Sequence, residues 1–138
     1  LKQRIDEVTN LCERAAGRAG AQAEVVRTRF ETQLADVLAR APALSEERLA
    51  QEVALLVGKA DVREELDRLS AHIAQARDLL AGGGRNQPVG RKFDFLCQEF
   101  NREANTLCSK SADIELTRIG IELKSAIEQM REQVQNVE

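Results

Sequence analysis

An all-α fold, an elongated antiparallel bundle of long helices with a coiled-coil-like first helix, is predicted by three features of this chain. Apolar residues recur at steps of three and four along most of its length. Only two prolines interrupt its 138 residues. Ala, Leu, Glu and Arg dominate the composition, and these residues lose little side-chain freedom on entering a helix. No apolar run reaches the length of a membrane span and no basic-then-apolar leader opens the chain, so no membrane partner is expected.

Residues 2–40 read as one helix. Ile5, Val8, Cys12, Ala15, Ala19, Ala23, Val26, Phe30, Leu34 and Val37 form a narrow, alanine-rich stripe, closer to a coiled-coil seam than to a globular core face. Pro42 ends it, because its ring drives Ala41 out of helical geometry. Ser45, followed by Glu46 and Glu47, is a restart signal: a hydroxyl cap with acids in the positive first turn. The second helix then runs to about Leu80 on Leu49, Val53, Leu56, Val62, Leu66, Leu69, Ile73, Ala76 and Leu80. The run Gly82 to Pro88 breaks it as a flexible loop. A third helix from Val89 or Gly90 carries Phe93, Leu96, Cys97, Phe100, Ala104 and Leu107 on one face. After it comes either a bend near Ser109–Asp113 or a continuous helix, and then a stripe of Leu116, Ile119, Leu123, Ile127, Met130, Val134 and Val137. Two segments follow: residues 1–44 as one long helix and 45–138 as a helical domain. Helix one and the last helix are expected to bury apolar area against a second copy.

The net charge of −3 rules out a chain that binds nucleic acid by bulk basicity, but its distribution is uneven. Residues 1–44 carry +1, 45–84 carry −3, 85–112 carry +2 and 113–138 carry −3. A basic segment between acidic ones suits an anionic ligand held near carboxylates, and helix-to-helix charge pairing would produce it equally. The three cysteines, Cys12, Cys97 and Cys108, have no framework spacing and are expected to be reduced, core-filling thiols.

Asp61, Glu65, Arg68 and His72 sit at offsets of 0, 4, 7 and 11 on the second helix. At about 100° per residue they share about 60° of arc. Carboxylates and an imidazole at one-turn spacing can hold a hard divalent cation or supply an acid/base pair; the competing reading is a salt-bridge stripe along the helix. Lys92, Glu99, Glu103, Thr106 and Lys110 form a matching stripe on the third helix. Antiparallel packing of the two would bring Glu65 and His72 near Glu99 and Glu103, a set suited to magnesium or manganese unless it only locks the helices together. The other edge of the third helix carries Gln98, Asn101, Asn105 and Ser109 with Arg91 and Arg102, groups suited to phosphate, 2′-hydroxyl and base-edge contacts. Phe95 points away from the Phe93/Phe100 face by roughly 160°, toward a second packing layer or a stacked base.

Three stretches, read together, carry a family resemblance. They are LAQEVALLVGKADVREELDRLSAH from Leu49 to His72, VGRKFDFLCQEFNREANTLCSKSADIELT from Val89 to Thr117, and IELKSAIEQMREQVQNVE from Ile121 to Glu138. In this order and spacing they resemble the carboxy-terminal region of the YicC-like endoribonucleases, with residues 1–44 similar to the connecting helix that precedes it. Phe93 and Cys97 stand where the family pattern usually has Leu or Met, and the loop before Gly90 is longer and richer in glycine. The polar residues Asp61, Glu64, Glu65, Asp67, Arg68, His72, Arg91, Glu99, Asn101, Arg102, Glu103, Asn105, Ser109 and Lys110 all match.

The resemblance implies a bacterial, cytoplasmic, divalent-metal-dependent (Mg or Mn) endoribonuclease that cuts RNA and not DNA, assembled as a homo-hexamer. It also implies an amino-terminal α/β domain ahead of this region. On that reading Asp61, Glu65, Glu99 and Glu103 hold the metal, Glu65, His72 and Glu103 are catalytic, and Arg68, Arg91, Lys92, Asn101, Arg102, Asn105, Ser109 and Lys110 bind RNA. The alternative is a non-catalytic module for oligomerisation and RNA clamping, with the chemistry in the amino-terminal domain.

Overall fold

The computed structural model of the protein describes residues 1–41, 43, 45–82 and 89–137. Every regular element among them is a helix: α1 Lys2–Gly17, α2 Ala19–Arg40, α3 Glu46–Lys59, α4 Arg63–Leu80, α5 Val89–Lys110 and α6 Ile114–Val137. The all-α expectation holds, but two of the expected long helices are broken.

The helix expected over 2–40 is interrupted at Arg18, whose backbone sits at φ −99°, ψ −3° between α1 and α2. The cause is tertiary. Arg18 donates from Nε and a terminal nitrogen to the two oxygens of Asp113, at 2.9 and 2.7 Å, and the chain is pinned there. The second expected helix breaks at Ala60–Val62. Val62 is fully buried, and the Asp61 carboxylate accepts the Arg63 amide at 3.0 Å, starting α4 afresh. Ser45 caps α3 as expected, accepting the Arg48 amide at 3.3 Å. Ala41 leaves the helical region at φ −137°, ψ 73°. The chain does bend between α5 and α6, where Asp113 accepts the Leu116 amide at 3.0 Å and caps α6. Of the expected flexible loop, Pro88 and its glycines beyond Gly82 lie outside the described residues, as does Pro42. Gly82 itself, at φ 96°, ends α4 in the left-handed region where a side chain would be strained.

Helices α1, α4, α5 and α6 pack as a closed ring of antiparallel neighbours, and cross-links give the directions. Arg77 near the end of α4 reaches Asp6 at 3.0 Å near the start of α1. Arg14 reaches Glu122 at 3.4 Å across α1–α6, and Arg131 reaches Asp94 at 3.4 Å across α5–α6. The ring closes over one core that includes Ile5, Val8, Leu69, Phe93, Phe100, Leu107, Leu123, Ile127 and Met130. Burying each such side chain contributes roughly 1.5–3 kcal/mol. Gly120 lets α5 and α6 approach closely, because a Cβ there would meet Cys108 Sγ at 2.7 Å and Leu107 at 3.2 Å.

Helix α1 thus buries a broad face, Ile5, Val8, Leu11, Cys12 and Ala15, inside its own chain, where a narrow coiled-coil seam was expected. The α6 stripe is covered in the same way, so the apolar area expected to meet a second copy is largely committed within the bundle. Helices α2 and α3 form a separate hairpin packed on each other. Helix α3 buries no residue fully, and Val37, Leu55 and Leu56 stay exposed. No helix among the described residues is long and apolar enough to cross a membrane.

Candidate functional site

The two polar stripes face each other across α4 and α5, in the antiparallel sense required to bring them together. Glu65 on α4 is only 1% exposed. Its Oε1 accepts from Lys110 Nζ at 2.7 Å and lies 3.5 Å from Arg68. Glu103 on α5, also buried, accepts from Arg68 Nε at 2.8 Å, and Arg68 reaches Glu64 as well. One guanidinium therefore sits between the two buried carboxylates, and the hydrogen bond to Glu103 raises its pKa, fixing it as a cation. The Lys110 ammonium also donates to the Asp61 carbonyl at 3.3 Å.

This geometry is an alternating acid–cation lattice joining α4 to α5. It uses the negative charge that a divalent ion would need. Asp61 lies before the start of α4, off the helical phase counted for it, and its carboxylate is engaged with Arg63. Glu99 is half-buried and outside the lattice. Among the described residues no group of three or more His, Cys, Asp or Glu side chains gathers to hold a metal ion. Asp61, Glu65, Glu99 and Glu103 as arranged here do not fit a magnesium or manganese centre.

His72 stacks edge-on against Phe100, ring centroids 5.8 Å apart, with both ring nitrogens buried and without a hydrogen-bond partner. It is brought to the same interface as the acids but is not hydrogen-bonded to any of them. The second carboxylate oxygen of Glu65 is likewise buried and unpartnered. A buried carboxylate oxygen without a partner is costly, and among the described residues it is an open acceptor inside the lattice.

The opposite edge of α5 behaves differently. Arg91, Phe95, Gln98, Arg102, Asn105 and Ser109 are all exposed. At about 100° per residue they share about 80° of arc along roughly 27 Å of helix. Asn101 is exposed beside them and Lys92 lies next to Arg91. Gln98 donates to Asp94 at 3.3 Å, while Arg91, Lys92 and Arg102 form no ion pair among the described residues. Of the residues expected to bind RNA, Arg68 and Lys110 belong to the acid lattice, Lys92 is exposed on the α4-facing edge, and the other five line this outer edge.

Two further residues organise the site: Gln22, which carried no signal in the sequence, and Asp113, whose place after Ser111 marks it as a candidate cap for the last helix. Gln22, 1% exposed, donates to the Lys110 carbonyl at 2.7 Å and accepts the amides of Ala112 and Asp113 at 2.7 and 3.0 Å. It ties the start of α2 to the α5–α6 turn. Asp113, held below the usual carboxylate range by its hydrogen bond from Arg18, anchors the same corner. A buried glutamine on an alanine-rich helix looks like any solvent-facing one. The cysteines are all free, and burial pushes Cys12 up to about 12 and Cys97 up to about 11, so neither is a nucleophile.

Comparison with known proteins adds the context for this arrangement. Residues 15–138 match the family described as Endoribonuclease YicC-like, C-terminal. Two curated relatives are both called probable endoribonuclease YicC. The Haemophilus influenzae protein is 41% identical over 138 residues, covering 100% of this chain and 46% of the relative. The Clostridioides difficile protein is 37% identical over 138 residues, again covering 100% of this chain and 46% of the relative. This chain spans slightly under half the length of each.

Proposed function

We propose, from the premise that the chain belongs to the YicC-like endoribonuclease family through its carboxy-terminal region, that it is the RNA-holding part of an endoribonuclease. RNA lies along the outer edge of α5, with Arg91 and Arg102 on phosphates, Lys92 reaching them from the α4 side, and Asn101, Asn105 and Ser109 on sugars and base edges. The observation that carries this reading is the contrast between charges: Glu65 and Glu103 are already held by Lys110 and Arg68, whereas Arg91, Lys92 and Arg102 make no ion pair among the described residues. For the intact protein the proposal keeps cleavage of RNA phosphodiesters, a divalent ion (Mg or Mn), a bacterial cytoplasm and a homo-hexamer. The ion takes ligands beyond Asp61, Glu65, Glu99 and Glu103.

A second reading, that the α4–α5 lattice itself cuts RNA with Glu65, His72 and Glu103, is favoured by one observation, the unpartnered inner oxygen of Glu65. Incubating labelled RNA with this chain, with manganese or with a chelator, separates the two. The holding reading expects saturable binding and intact RNA in both conditions. Cleavage by the chain that Glu65→Gln abolishes, with the fold retained, replaces it with the catalytic reading.

A further inference from the structure

Phe95 is 61% exposed, the wrong place for a large aromatic ring unless something covers it. It forms one wall of a groove of about 490 Å³ between the end of α4 and the start of α5. Leu79 lines the opposite, α4 side, Arg91 and Lys92 line the groove beside the ring, and Gln75 and Asp78 supply an amide and a carboxylate. The two cations make no ion pair among the described residues.

We propose that this groove is a base-stacking subsite for single-stranded RNA: one nucleobase lies on Phe95 and its phosphate sits on Arg91 and Lys92. The inference rests on the RNA-holding reading above and adds to it a ligand form, one unpaired nucleotide. Single-stranded RNA is specified because a base must be splayed out of a helix to reach a ring face. A protein partner is the weaker fit. The ring shares its groove with Leu79 and Leu96, but two cations, an amide and a carboxylate line the same groove, a mixed surface that suits a nucleotide better than an apolar protein face. Those groups match the three parts of a nucleotide: aromatic ring to base, cations to phosphate, and Gln75 with Asp78 to the base edge or 2′-hydroxyl. Phe95 also lies on the same exposed stripe as Arg102 and Asn105, so a strand stacked there continues along α5.

The chain contains no Trp and no Tyr, which makes the test direct. Phe95→Trp introduces a single indole, and its emission should be quenched on titration with short oligouridylate or oligoadenylate. Phe95→Leu should weaken binding of the same RNA by about fivefold or more, the loss of one stacked base. It should leave binding of an abasic ribose-phosphate chain of equal length unchanged. Arg91→Gln with Lys92→Gln should weaken both ligands alike. Unchanged emission, or equal effects of Phe95→Leu on base-bearing and abasic chains, overturns the proposal. So does a Phe95→Leu variant that loses self-association in sedimentation while binding RNA normally, since the face is then a contact between copies. If the unsubstituted chain binds RNA and Phe95 is irrelevant, only this inference falls; if it binds none, the proposed function falls with it.

Discussion

The two edges of α5 share one helix and one sequence signature, yet they treat their polar groups in opposite ways. The edge facing α4 places Glu103 and Lys110 in a lattice with Arg68 and Glu65, where each of the three ion pairs joins a buried carboxylate to a partly exposed cation. The outer edge carries Arg91, Phe95, Arg102, Asn105 and Ser109 into solvent with no ion pair among the described residues. Charges matched inside the chain hold helices in place. Charges left unmatched on a rigid helix are available to a ligand, and a rigid helix holds them at fixed spacing.

The largest effect that sharpens this comparison is on stability. Glu65→Gln leaves Lys110 without its carboxylate, and breaking a buried pair of this kind costs about 2–4 kcal/mol, less than a fully buried pair because Lys110 is partly exposed. Denaturant titration should show that loss, with RNA affinity unchanged at temperatures where the variant is folded. A loss of RNA binding with no loss of stability would instead move the inner edge into the binding surface.

Gly120→Ala should cost about 1–3 kcal/mol by forcing α5 away from α6 at Cys108 and Leu107. A thermal midpoint lowered by about 4 °C for each kcal/mol is the expected readout. Because the disturbance is on the α6 side, affinity for RNA on the outer edge should be retained.

A smaller effect should appear in acid. Arg18 lowers the native pKa of Asp113, so this contact stabilises fully above the ordinary carboxylate range. Its contribution is lost as pH falls from about 4 through the lower native value. Melting curves should lose stability over that window, and Asp113→Asn should flatten that part of the profile while lowering stability at neutral pH.

The faces of α5 and α6 were legible in the sequence because their apolar residues recur with an unbroken helical period; Phe93, Phe100, Leu107, Leu116, Leu123 and Met130 are all buried. The breaks at Arg18 and at Ala60–Val62 were not, because the apolar period runs on past Gly17 and Gly58 and no proline interrupts it at either point. Arg18 is held by an aspartate 95 residues away, and no local pattern reports that. At the second break a signal was present: Asp61 followed by Glu64 and Glu65 has the form of a cap with an acidic first turn. The pairing of the two stripes was legible from their phase, whereas the destination of each charge was not, since a carboxylate at one-turn spacing looks the same whether its neighbour is an ion or an arginine.

The measurement closest to the central claim is the salt dependence of RNA binding by this chain and by its Arg91→Ala, Arg102→Ala double variant. Arg102 is exposed, and truncating it should change stability by no more than about 0.5 kcal/mol. If the outer edge of α5 holds phosphates, the double variant binds single-stranded RNA more weakly. Its plot of log affinity against log salt should then be shallower by about 1.4, the loss of two released counterions. An unchanged slope and affinity, with RNA binding abolished instead by Glu65→Gln in a folded chain, would contradict the assignment and place the ligand on the inner edge.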